Sequence, residues 1–161
     1  MKFKALIFVF FVGVLTSVSS VAEEANKLNI PADVKPILKK EMLAIEKAMQ
    51  ELVSTMAKGN WEKTAEIGKQ IQASYLMKQS LSAEQMKQLH HNLPEQFIKL
   101  DHSFHQYAGM LAHAAEVKNA DVMSFYFYKM NDSCVQCHSR YAQEQFNTFS
   151  TSVENHSAQQ H

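Results

Sequence analysis

From Asp33 to Lys58 the apolar residues Leu38, Met42, Ile45, Met49, Leu52 and Met56 recur at alternating spacings of four and three. That period lines them up along one stripe of an α-helix in a helical bundle. Asp33 is positioned to cap this helix and Pro36 to occupy its first turn, while Gly59-Asn60 ends it.

Three further segments show the same pattern. The second runs from Trp61 to Met77, with Trp61, Ala65, Gly68, Ile71 and Tyr75 near one face. The third opens at Pro94 and continues to Val117, with Phe97, Phe104, Ala108 and Leu111 as its inner stripe. After a Lys118-Asn119 turn the fourth runs from Ala120 to Phe146. Between the second and third, Ser82-Ala83-Glu84-Gln85 has the form of a capping box and predicts a short helix within the connection. Only four glycines and three prolines punctuate the chain, and no strand-like alternation or internal repeat of useful length occurs. The expected fold is all-α, an antiparallel up-down-up-down four-helix bundle.

The ends read differently. Met1-Lys2-Phe3-Lys4 is basic, residues 5–18 are nearly all apolar and uncharged, and Ser20-Val21-Ala22 precedes acidic Glu23-Glu24. This is the layout of a secretory signal peptide cleaved after Ala22. The apolar run is short of the roughly 20 residues a spanning helix needs. A leader at 23–32, the helical domain at 33–146 and a polar disordered tail at 147–161 complete the organisation. The signal segment takes two of the 16 basic residues and none of the 16 acidic ones, leaving 14 against 16. No basic patch stands out, which excludes nucleic acid as a partner. The expectation is a periplasmic protein that does not span the membrane once cleaved.

The only two cysteines fall in Cys134-Val135-Gln136-Cys137-His138. A disulfide across two intervening residues would close a very small loop and staple little chain. The C-x-x-C-H run has another logic. Two thiols at this spacing reach two vinyl groups on one porphyrin edge as thioethers, and the next residue supplies an axial imidazole. One covalent haem c on Cys134 and Cys137, with His138 as proximal ligand, is the expected cofactor. A thioredoxin-like site lacks its βαβ context, and a zinc site would need a fourth ligand.

With this run near the end of its last helix, the chain resembles the class II cytochromes c, namely cytochrome c prime and its low-spin relatives. Cys134, Cys137 and His138 match the family motif, and Tyr141 matches an aromatic common three residues after the histidine. Ala142 stands where the family often has arginine, and Arg140 precedes the tyrosine instead. Either Lys39 or Arg140 is a candidate to pair with a haem propionate. The resemblance implies a distal residue early in the first helix and makes a homodimer through the first two helices an alternative to a monomer.

The distal position separates two functions. In an antiparallel neighbour the level of His138 falls near residue 41, so Met49 would lie about 10 Å too far along and Met56 about 20 Å. Met42 is therefore the candidate sixth ligand, and it belongs to the apolar stripe. Counting back from Gly59 against the family pattern lands nearer Leu43, which would leave the iron five-coordinate, yet Leu43 shares a face with Lys39, Lys40, Glu46, Lys47 and Gln50. Ile71, Tyr75, Phe97, Phe104 and Tyr141 are the expected pocket walls. His90, His91, His102, His105 and His113 read as surface histidines, and His156 and His161 belong to the tail. With Met42 bound, the protein is an electron carrier serving redox partner proteins; with an open face, it binds a small gas such as NO or CO. No distal acid–base constellation marks an enzyme. Mass spectrometry of the exported protein is expected to find Glu23 as its first residue; an intact Met1 would overturn the export reading.

Overall fold

The structure is a computed structural model that describes residues 28–73 and 80–146. The signal segment, Tyr75 and the 147–161 tail lie outside the described residues. All regular structure among them is helical: α1 Lys35–Ala57, α2 Trp61–Gln72, α3 Ala83–Asn92, α4 Glu95–Glu116 and α5 Ala120–Tyr141. None of these helices is long and apolar enough to cross a membrane.

Several helix ends follow local chemistry. Gly59 adopts φ +64° after α1, the left-handed conformation that a residue without Cβ takes at least cost. Asn60 caps α2 by accepting from the Lys63 N–H, and Asn119 caps α5 through the Val122 N–H. The capping box at α3 is complete. Ser82 Oγ accepts from the Gln85 N–H at 3.2 Å, and the Gln85 side chain returns a bond to the Ser82 N–H at 3.0 Å.

Other ends depart from expectation. Asp33 does not cap α1; its carboxylate accepts a hydrogen bond from Gln85 Nε2 at 2.9 Å, tying the entry of α1 to α3. Pro94 stands at the N-cap of α4 rather than inside its first turn. Helix α2 closes at Gln72, with the Ala73 N–H bonded back to Lys69, and α5 closes at Tyr141, five residues before the expected Phe146.

The core line of α1 passes through Glu41, Ile45, Ala48, Leu52 and Thr55, all buried. It is rotated from the stripe read in the sequence, so the methionines at 42, 49 and 56 lie on its flank. The small residues of this line face α2, where the Thr64 hydroxyl sits 3.0 Å from that of Thr55 and 2.8 Å from the Asn60 carbonyl. Helices α2 and α4 meet more closely still. A Cβ added at Gly68 would stand 2.8 Å from the Ala108 carbonyl oxygen and 2.9 Å from the Ala112 methyl. Helix α4 then packs on α5 through Tyr107 against Tyr126 and Phe97 edge-on to Tyr141. Close backbone approaches join α1 to α2, α2 to α4 and α4 to α5, while α1 and α5 stand apart.

Gly68→Ala should force this seam open. The expected loss is about 1–3 kcal/mol of unfolding free energy, read by urea denaturation, since added volume in a packed core cannot relax freely. An unchanged midpoint would show that α2 and α4 have slack here.

Candidate functional site

Cys134, Cys137 and His138 occupy the last two turns of α5. Helical spacings of three and four bring all three toward one side of the helix. Burial differs only slightly among them: each is half-buried, and both thiols are free.

Two of the three side chains open onto a groove that Cys137 does not border. Cys134 and His138 border a groove of about 310 Å³ between α5 and α1, whose apolar walls are Ile45, Met49, Val53 and Phe127. Cys137 lies nearer α4, close enough to Asp101 for that carboxylate to act on it electrostatically. Asp101 in turn borders a smaller cavity of about 90 Å³ enclosed by α1, α3 and α4, shared with Glu41, Met42, Phe97 and His105.

Electrostatics set the protonation of each group. Burial holds the Cys134 thiol above its ordinary pKa. Burial, then the charges of Asp101 and Cys134, push Cys137 up to about 11 against an opposing pull from Arg140. Both thiols are therefore protonated at neutral pH. Burial lowers His138, which favours the neutral imidazole that can donate a lone pair to a metal. Its ring stacks on Phe146 at a centroid separation of 4.4 Å.

The expected pocket residues divide. Phe97 and Tyr141 meet edge-on at 5.4 Å beside the motif. Ile71 and Phe104 belong instead to the main core and border neither space, because α2 and α4 close on each other at their level. Tyr75 lies outside the described residues. Met42 is 39% exposed and borders the smaller cavity, while Met49, one heptad further along the same flank, shares the groove with His138. The first turns of α1 share a cavity with α3, whose Met86, Leu89 and His90 border it together with Leu38, Glu41 and Met42.

His105 is not a surface histidine. Its side chain is 15% exposed, with Nδ1 2.6 Å from the Ile71 carbonyl oxygen and Nε2 3.5 Å from Asp101. The spacing Asp101-x-x-x-His105 was the available signal, but that pattern is ordinary on exposed helices. Met49, Glu41 and Phe127 carried no signal beyond helical periodicity. Lys39 and Arg140 are both exposed.

Among the described residues no three His, Cys, Asp or Glu side chains are arranged to hold a metal ion by themselves. Both thiols and the imidazole lie along one half-buried face of α5, with Cys134 and His138 at the groove beside α1 and Cys137 toward Asp101 of α4. The chain matches no protein-family model, no curated protein and no solved structure.

A pH dependence follows from His105. Burial alone would lower its pKa, but the bond to and charge of Asp101, the Ile71 carbonyl and the charge of Glu41 together raise it. A histidine raised in the folded state adds stability that is full below its unfolded value of about 6.5 and is lost as pH rises through the folded value. Denaturant unfolding should therefore show a more stable protein at pH 6 than at pH 8, with the difference reduced in His105→Gln. An equal slope in both proteins would remove His105 as the cause.

Proposed function

We propose that this chain is an exported, periplasmic monohaem c-type cytochrome of the class II kind, an electron carrier rather than an enzyme. In this reading α1, α2, α4 and α5 form the up-down-up-down bundle and α3 is an added element. Cys134 and Cys137 attach haem c as thioethers, and His138 is the proximal ligand. The observation that carries the reading is that Cys134 and His138 open into one apolar groove, at the place where α1 stands away from α5.

When bound, haem supplies a one-electron Fe(III)/Fe(II) couple. The chain's own residues do the rest. His138, kept neutral by burial, offers its lone pair, and Phe146 stacks against its ring. Ile45, Met49, Val53 and Phe127 give the groove its apolar walls, with Glu46, Gln50 and Asn131 at its border, and such a wall beside a bound haem would tune its potential. A thioether from α1 opposite His138 would favour the ferrous state. Met42 is the ligand expected from the level argument and the family resemblance. Met49 is the second candidate, because it borders the groove that His138 borders.

The other reading is a five-coordinate protein that binds NO or CO. The exposure of Met42 and its position outside the groove favour it. Optical spectra decide between the two. An electron carrier is expected to give a low-spin ferrous spectrum that CO leaves unchanged. In that case either Met42→Ala or Met49→Ala converts it to a high-spin, CO-responsive form, and the variant that does so identifies the ligand. A wild-type ferrous spectrum that shifts with CO would instead assign gas binding.

A further inference from the structure

Helix α5 stops at Tyr141, and the chain that follows turns back on it. The Ala142 N–H bonds to the His138 carbonyl, and the Gln145 and Phe146 N–H groups bond in turn to the Ala142 carbonyl at 3.0 and 3.1 Å. This closed turn carries Phe146 back beside the attachment motif. Its ring lies flat on the His138 imidazole, with centroids 4.4 Å apart and planes 15° from parallel. Other ring pairs among the described residues meet edge-on or tilted. Had the helix continued from His138 to Phe146, its rise would have set the two backbones about 12 Å apart. The stop at Tyr141 is what lets the rings meet. They meet near the surface, where Phe146 is 40% exposed and His138 half-buried.

We propose that Phe146 is a positioning residue for the His138 imidazole, fixing the plane in which that ring offers its nitrogen to a bound haem. The inference rests on the cytochrome reading above and adds a residue to its site. An imidazole nitrogen holds its lone pair in the plane of the ring. A phenyl ring laid on the flat face therefore leaves the donor edge open, whereas a hydrogen bond to that nitrogen would occupy it. What the stack removes is rotation. The terminal torsion of a histidine is broad when nothing holds it, and a flat neighbour confines it. A metal-bound histidine is usually restrained by an acceptor on its second nitrogen. Among the described residues the His138 ring has no hydrogen-bond partner, and burial alone acts on its pKa. The Phe146 ring stands in for that acceptor. The heading of the imidazole plane decides which iron d orbital its π system overlaps when haem is bound, so the restraint has an electronic signature.

The test is proton NMR of the mature full-length chain, without haem and after haem attachment, in wild type, Phe146→Leu and Phe146→Tyr. Leucine keeps apolar bulk and loses the flat ring; tyrosine keeps the ring. In the haem-free wild type the His138 ring protons should lie upfield, displaced by the phenyl ring current, and should return downfield in Phe146→Leu. In the ferric haem protein the order and spread of the haem methyl resonances read the heading of the imidazole plane. They should change in Phe146→Leu, together with the reduction potential, and be restored in Phe146→Tyr. Haem methyls that are the same in wild type and Phe146→Leu would overturn the inference and leave the proposed function standing. Wild-type His138 protons with no upfield displacement would overturn it as well. A wild type that takes up no haem in a maturation-competent host would overturn the proposed function, and this inference with it. The ring-current measurement on wild type needs no variant, so a substitution that failed to fold would not prevent a decision.

Discussion

The close seam between α2 and α4 is the contact on which the rest of the architecture depends. Gly68 presents no side chain where the Ala108 carbonyl and Ala112 approach, so these two helices meet almost backbone to backbone. Alanines at 65, 108, 112 and 115 continue the same small-residue surface, all of them buried. Helices cannot be equally close on every side when their other faces carry Ile45, Leu52, Phe104, Leu111 and Met130. The tight seam on one side is matched by a groove on the other, between α1 and α5, which Cys134 and His138 border.

The polar groups follow the same division. Thr55 and Thr64 satisfy one another where α1 meets α2, a local solution that leaves no chemistry to perform. Glu41, Asp101 and His105 gather instead near the end of the molecule where α3 closes over α1 and α4. There a carboxylate that is 2% exposed and a histidine with raised affinity for its proton share a small space. The charge of Asp101 reaches Cys137 in one direction and His105 in the other. Cys137 and the buried polar cluster are therefore electrostatically linked through Asp101.

Much of this was legible in the sequence because it is local. The long helices, the Gly59 stop, the Ser82 capping box and the common face of Cys134, Cys137 and His138 all follow from spacing and turn chemistry. What was not legible depends on the rotation and sliding of one helix against another. A stripe of alternating four- and three-residue steps fixes a helix face only to within about one residue, so Glu41 rather than Met42 faces inward on α1. That Met42 borders a cavity shared with α3 and α4 depends on side chains brought together across the chain, which leave no local signature. His105 was misread for a similar reason: its neighbour, the Ile71 carbonyl, is 34 residues away in the chain.

The central claim is that the free thiols of Cys134 and Cys137 become thioethers to a single porphyrin, and the most direct measurement is peptide mass spectrometry. With the protein produced in a host competent in c-type cytochrome maturation, the account predicts a coloured product. The peptide containing Cys134 and Cys137 should carry one porphyrin mass, which Cys134→Ser with Cys137→Ser abolishes. A colourless, folded protein with both cysteines alkylatable and no added mass on that peptide would contradict it.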